Sequence, residues 1–72
     1  MTVYDNIRWY LYTKCLQYVK IYDQNETVEY QYDVKNFKNI PEDILKVDSI
    51  DHKYIDLEHT LIIIANMTHM FI

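Results

Sequence analysis

An α+β domain is the fold class this sequence predicts, on three observations. The N-terminal segment is capped and helically spaced, two later stretches alternate apolar and polar residues with period two, and a proline-led apolar segment separates them. The expected order is N-terminal helix, β-hairpin, short helix, β-hairpin. That order builds a four-stranded, mainly antiparallel sheet in a single domain spanning residues 1–72.

The first helix is expected at about 2–13. Thr2-Val3-Tyr4-Asp5 reads as a capping box, in which Thr2 accepts from the amide of residue 5 and Asp5 reaches back to the Thr2 amide. Val3, Ile7, Tyr10 and Leu11 then fall on one helical face. A strand competes for the same residues, because Ile7, Trp9 and Leu11 also alternate with Arg8, Tyr10 and Tyr12.

From Cys15 onward the period is two and the residues are β-branched or aromatic. Val19 and Ile21 share one face with Cys15 and Gln17, and Leu16, Tyr18, Lys20 and Tyr22 share the other. After Asp23-Gln24-Asn25-Glu26 a second run sets Val28, Tyr30, Tyr32 and Val34 against Thr27, Glu29, Gln31 and Asp33. A hairpin closed between Asp23 and Glu26 places Val19 opposite Tyr30, Ile21 opposite Val28 and Lys20 opposite Glu29. Asn25 is the residue expected to take the left-handed conformation that glycine would otherwise supply.

Pro41 followed by Glu42 and Asp43 marks the start of a short helix at about 41–46, since proline's missing donor is not needed there and acids suit the helix dipole. Two strands follow, around 47–54 and 60–66. Leu61-Ile62-Ile63-Ile64-Ala65 is apolar on both faces, which predicts a central strand covered on both sides.

Composition narrows the chemistry. The chain has eight tyrosines and no glycine in 72 residues. Without glycine, the phosphate-cradling loops and dinucleotide turns have no backbone to be built from, so no nucleotide cofactor is expected. A domain of this length buries only ~60% of its unfolded surface and has little room for a secluded active site. The one cysteine, Cys15, excludes an internal disulfide and fits a reducing compartment; aligned with Val19 and Ile21 it reads as a small buried hydrophobe. No secretory signal is apparent, and the longest apolar run, Leu61 to Ala65, is far short of the ~20 residues of a membrane helix. A cytoplasmic location without membrane association is the expectation.

Catalysis and metal binding find no support in the spacing. A nucleophile at Cys15 or Ser49 needs an oriented histidine, and Asp51 and His52, as neighbours on a strand, face opposite ways. Cys15, His52, His59 and His69, even with Asp51, Asp56 or Glu58, lack the paired spacing of zinc modules, and the histidines read as ordinary surface groups of a hairpin. The expectation is a non-enzymatic protein with no metal and no cofactor.

Charge points instead to a binding surface. The net charge is −4, concentrated at 21–34 (local −4) and 47–59 (local −3), while 1–20 carries +2. Tyr18 and Tyr22 flank Lys20, with Arg8, Trp9 and Lys14 upstream, which offers stacking for single-stranded bases. Glu29 opposite Lys20 and the negative total repel phosphate, so direct nucleic-acid binding is the weaker reading. Glu29, Gln31 and Asp33 project from one strand face at ~7 Å steps. With Tyr18 and Tyr22 they are the expected partner-binding residues, a surface suited to the basic groove of a nucleic-acid-handling protein. Plain solvation of a small acidic protein is the competing account of the carboxylates. A homodimer closed by the apolar strand and the tail 67–72 is a further alternative.

Thr2-Val3 with Ile7, the Tyr-rich hairpin, Ile40-Pro41 with Ile44-Leu45, then Val47, Ser49-Ile50 and the closing Leu61-Ile62-Ile63-Ile64 together resemble small acidic uncharacterised proteins of phages and mobile elements. Some proteins of that kind are anti-CRISPRs or other inhibitors of host machinery. The resemblance implies an inhibitor or adaptor acting in the host cytosol on a host protein such as a CRISPR effector. It carries no functional residue over.

Overall fold

A computed structural model describes residues 1–13, 15–25 and 29–67. It contains helix α1 (Val3–Thr13), strands β1 (Tyr18–Asp23) and β2 (Glu29–Asp33), a 3₁₀ segment (Val34–Asn39), helix α2 (Glu42–Leu45), and strands β3 (Ile50–Ile55) and β4 (Thr60–Ala65).

The capping box forms as the sequence requires. The Thr2 amide donates to Asp5 Oδ2 and the Asp5 amide to Thr2 Oγ1, both at 3.1 Å. These two bonds satisfy donors that the first turn leaves without a partner. Helical spacing then wins over strand alternation at 3–13, because Val3 and Ile7 stack one turn apart and are fully buried. The Val3 amide donates to the Val47 carbonyl at 2.8 Å, tying the start of α1 to the segment that follows α2.

The sheet is mixed, with strand order β2-β1-β4-β3. β1 pairs antiparallel with β2, β3 pairs antiparallel with β4, and the two inner strands run parallel. The mainly antiparallel sheet expected from sequence is corrected here. A simple meander would place β2, charged at alternate residues, in the middle. The observed order gives the middle to Val19, Ile21 and Leu61 to Ala65, and leaves the polar strands at the edges, where parallel pairing does not expose apolar surface.

Within the first pair the register is also corrected. Val19 lies opposite Tyr32, Ile21 opposite Tyr30, and Lys20 opposite Gln31, a slip of two residues from the expected pairing. The centre of the register lies one residue further along the chain than assumed, which moves every pair by two without changing face, because side chains alternate with period two. The expected partner Val28 lies outside the described residues. Asn25 does not take the left-handed conformation expected of it: among the described residues only His59 has positive φ, at 59°.

One core holds the described elements together. Val3 and Ile7 from α1, Phe37 and Ile40 from the 3₁₀ segment and its exit, and Ile44 from α2 meet Val19, Ile21, Leu61, Ile63 and Ala65 of the inner strands. Tyr30 and Tyr32 pack half-buried against its margin, as their face predicts. The segment Val34–Asn39 is 3₁₀-helical with a kink at Asn36 and buries Phe37. Cys15, expected in the core, is exposed, because it precedes β1 and has no strand position to turn it inward. The tail residues 68–72, whose role the sequence left open, lie outside the described residues.

Candidate functional site

Both helices and the 3₁₀ segment bury their apolar residues in one cluster with Val19, Ile21, Leu61 and Ile63, so the described helices cover one face of the sheet. The alternate residues of each strand therefore form the other face, on which no described helix packs. The expected two-sided cover of β4 is corrected accordingly.

Register places the side chains of that second face in rows across the strands. One row reads Asp33, Tyr18, Thr60. The next reads Gln31, Lys20, Ile62, Tyr54, and the third Glu29, Tyr22, Ile64, His52. All five residues expected to bind a partner, Tyr18, Tyr22, Glu29, Gln31 and Asp33, thus fall on one surface, with each tyrosine directly across from an acid. Tyr22 donates its hydroxyl to Glu29 Oε1 at 3.2 Å, which orients the ring and the carboxylate together.

The surface is graded. Its centre is apolar: Ile62 is only 9% exposed and Ile64 is half-buried. Around them Tyr18 (37% exposed) and Tyr54 (45%) present ring surface to solvent. The Tyr54 and His52 rings sit 5.4 Å apart at 48° on β3. Glu29, Gln31 and Asp33 form an exposed polar edge on β2. At the end where β1 and β2 meet the 3₁₀ segment, Tyr18 and Asp33 also line a groove of about 440 Å³ with Leu16 and Lys35.

Sequence reasoning missed Ile62, Ile64, His52 and Tyr54 as members of this face. The signal was present in β4, where residues at both parities are apolar while the chain offers short helices for one side only.

The β3–β4 turn is fixed by Asp56. Its Oδ1 accepts from the Glu58 amide at 2.8 Å and the Thr60 amide at 3.0 Å, and its carbonyl accepts from the His59 amide at 3.2 Å. A turn followed by one left-handed residue is the usual three-residue hairpin closure, and glycine usually supplies that residue. His59 supplies it here. Its carbonyl also accepts from the Gln17 amide at 2.9 Å, which anchors the turn to the start of β1.

On the helix-covered side, Asn6 is buried with its polar atoms satisfied: Nδ2 donates to the Thr2 carbonyl at 2.8 Å, and Oδ1 accepts from Lys53 Nζ. The Lys53 ammonium lies 5.8 Å from the Tyr10 ring centroid. The backbone amide and then the hydroxyl of Thr2 hold the Asp5 carboxyl below its ordinary pKa. The Tyr12 hydroxyl, followed by Tyr4, pushes the Arg8 guanidinium up from its ordinary value.

Among the described residues, no three of His, Cys, Asp and Glu come together where they could hold a metal ion. His52 is paired across from Ile64 and His59 sits in the turn, so the two histidines occupy different surfaces. No helix among the described residues is long and apolar enough to cross a membrane. No protein-family model, curated protein or solved structure matches the chain.

Proposed function

We propose that this chain is a non-enzymatic protein-binding domain, an inhibitor or adaptor of phage or mobile-element type, that docks its helix-free sheet face onto a basic surface of a host nucleic-acid-handling protein such as a CRISPR effector. The observation that carries the reading is the composition of that face: Ile62 and Ile64 at the centre, Tyr18, Tyr22 and Tyr54 around them, and Glu29, Gln31 and Asp33 along one edge. Interfaces are built this way, with aromatic anchors inside and charge at the rim.

The division of labour follows from position. Glu29 and Asp33 are exposed edge carboxylates, so they steer the encounter and act on the association rate. Tyr22 sits one strand further in, half-buried and braced by Glu29, where truncation raises the dissociation rate. The acids that lie on β2 also keep this edge strand from adding to a foreign sheet.

The test is a paired pull-down from host lysate, read by mass spectrometry. Wild type is compared with Glu29→Lys/Asp33→Lys/Tyr22→Ala, and with a control variant altered at Leu57, which is fully exposed at the tip of the β3–β4 turn and outside the face. A partner retained by the control and lost by the triple variant supports the reading. A partner bound equally by all three proteins places the interface elsewhere.

The same apolar centre also supports a second reading, a homodimer closed face to face. Light scattering separates them: a dimer that dissociates on Ile62→Lys assigns the face to a second copy.

A further inference from the structure

Tyr4, Arg8 and Tyr12 follow one another at single-turn spacing along α1. The Arg8 Cζ lies 5.8 Å from the centroid of each ring, so the guanidinium is held between two aromatic faces. Across a narrow gap the 3₁₀ segment contributes Phe37, 5.7 Å from the Tyr4 ring, and Lys38. Together these residues line a groove of about 290 Å³. On its other side Arg8 borders a shallower depression with Tyr12 and Trp9, the latter 62% exposed.

We propose that this α1–3₁₀ groove binds single-stranded nucleic acid, with a phosphate held between Arg8 and Lys38 and a base stacked on Tyr12. The site goes beyond the sheet-face reading and does not rest on it.

Two features favour this occupant. The first is charge complementarity: among the described residues Arg8 and Lys38 line the groove with no acid, and Asp5, an ionised carboxylate, lines the neighbouring depression with its Oδ2 bound by the Thr2 amide. The acids of β2 project from the other face of the sheet, so the sheet lies between them and the groove. The second is the alternation of cation and ring. An acidic protein segment would satisfy Arg8 and Lys38 but can stack on Tyr12 only where it carries an aromatic residue, whereas every base has a π-face. A stacked arginine presents its donors as a fixed planar fork, which suits a phosphate. The stacking residues expected from sequence, Tyr18 and Tyr22, sit instead beside Asp33 and Glu29, where phosphate is repelled.

The test is fluorescence anisotropy of a labelled oligothymidylate of about ten nucleotides, titrated with the full chain across a salt series, with Trp9 emission read in parallel. One neutralised phosphate predicts a slope of log K against log salt of about −0.7, and the Arg8→Gln/Lys38→Gln double variant removes it. Tyr12→Ala weakens binding about tenfold or more with the slope unchanged. Tyr22→Ala, on the other face, leaves oligonucleotide binding as in wild type. Arg8, Tyr12 and Lys38 are all exposed, so these variants keep the fold, which circular dichroism checks. The proposal is overturned by no anisotropy change at low salt, or by unaltered affinity in the Arg8→Gln/Lys38→Gln double variant. Equal competition by a polyglutamate peptide of the same length also overturns it and assigns the groove to an acidic protein segment.

Discussion

His59→Gly should make this protein more stable, although it removes a side chain and adds none. The residue has φ of 59°, in the region where a Cβ crowds the following carbonyl oxygen. A residue other than glycine held there gives up roughly 1–2 kcal/mol. Against this, glycine enlarges the unfolded ensemble, an effect of roughly 0.5–1 kcal/mol. Every described bond that fixes the turn survives the change: the amide of residue 59 still donates to the Asp56 carbonyl, its carbonyl still accepts from Gln17, and Asp56 still caps Glu58 and Thr60. The net gain is about 0–1.5 kcal/mol, centred on about 0.75, which is about 3–6 °C in melting temperature for a domain of this size. Urea denaturation of wild type, His59→Gly and His59→Ala measures it, the alanine variant removing the imidazole while keeping the Cβ. A glycine variant no more stable than the alanine variant would refute the reasoning, because the gain would then owe nothing to backbone conformation.

The two faces of the sheet should respond oppositely to truncation. Ile63→Ala, in the closed core, costs about 2–5 kcal/mol in chemical denaturation, whereas Tyr18→Ala or Tyr54→Ala costs under about 1 kcal/mol because both rings are already partly in water. Thr2→Ala removes the cap and costs about 1 kcal/mol, seen as a lower urea midpoint with an unchanged slope. The depressed pKa of Asp5 fixes the sign of a pH effect: its contribution is complete above the unfolded carboxyl value of about 4 and is lost as pH falls through the lower folded value. Asp5→Asn should therefore flatten the acid limb of the stability curve while changing little in shape above neutrality. Cys15 should react with a thiol reagent in the native state at the rate of a free thiol, since it is exposed; protection until unfolding would contradict its position.

What the sequence made legible was local. The capping box, the helical run from Val3 to Leu11, the period-two segments and the proline-led start of α2 depend on neighbours within a few residues, and each formed, although β1 starts at Tyr18 and not Cys15, β2 ends at Asp33 and not Val34, and β3 starts at Ile50 and not near 47. Facing is local too, so the five expected partner-binding residues came together even though the register was wrong by two: an even slip preserves parity. What failed was long-range. Nothing within either hairpin states that β1 will lie parallel to β4, because that choice depends on which strands have the most apolar surface to hide from water. The comparison was available in principle: β2 carries Glu29, Gln31 and Asp33 at alternate positions, and β4 has no polar side chain between Leu61 and Ala65. Cys15 failed for a different reason, since parity predicts facing only inside a strand, and β1 begins at Tyr18.

The two surfaces are consequences of one shortage. Both faces of β4 are apolar, yet the described chain has only an eleven-residue helix, a four-residue helix and a 3₁₀ segment with which to cover them. Concentrating all three on one side seals Leu61, Ile63 and Ala65 and leaves Ile62 and Ile64 to be shielded by the side chains of neighbouring strands. Tyrosine and lysine fit that duty, because each lays apolar length across its neighbours while keeping a polar end in water. Lys20 and Tyr54 do so beside Ile62, Tyr22 and His52 beside Ile64. The same concentration packs the 3₁₀ segment against α1, which brings Phe37 and Lys38 beside the Tyr4–Arg8–Tyr12 stripe and so creates a cationic groove on an otherwise acidic molecule. The tyrosine content that marks the sequence therefore divides three ways: Tyr10, Tyr30 and Tyr32 support the core, Tyr18, Tyr22 and Tyr54 shield the uncovered face, and Tyr4 and Tyr12 clamp Arg8.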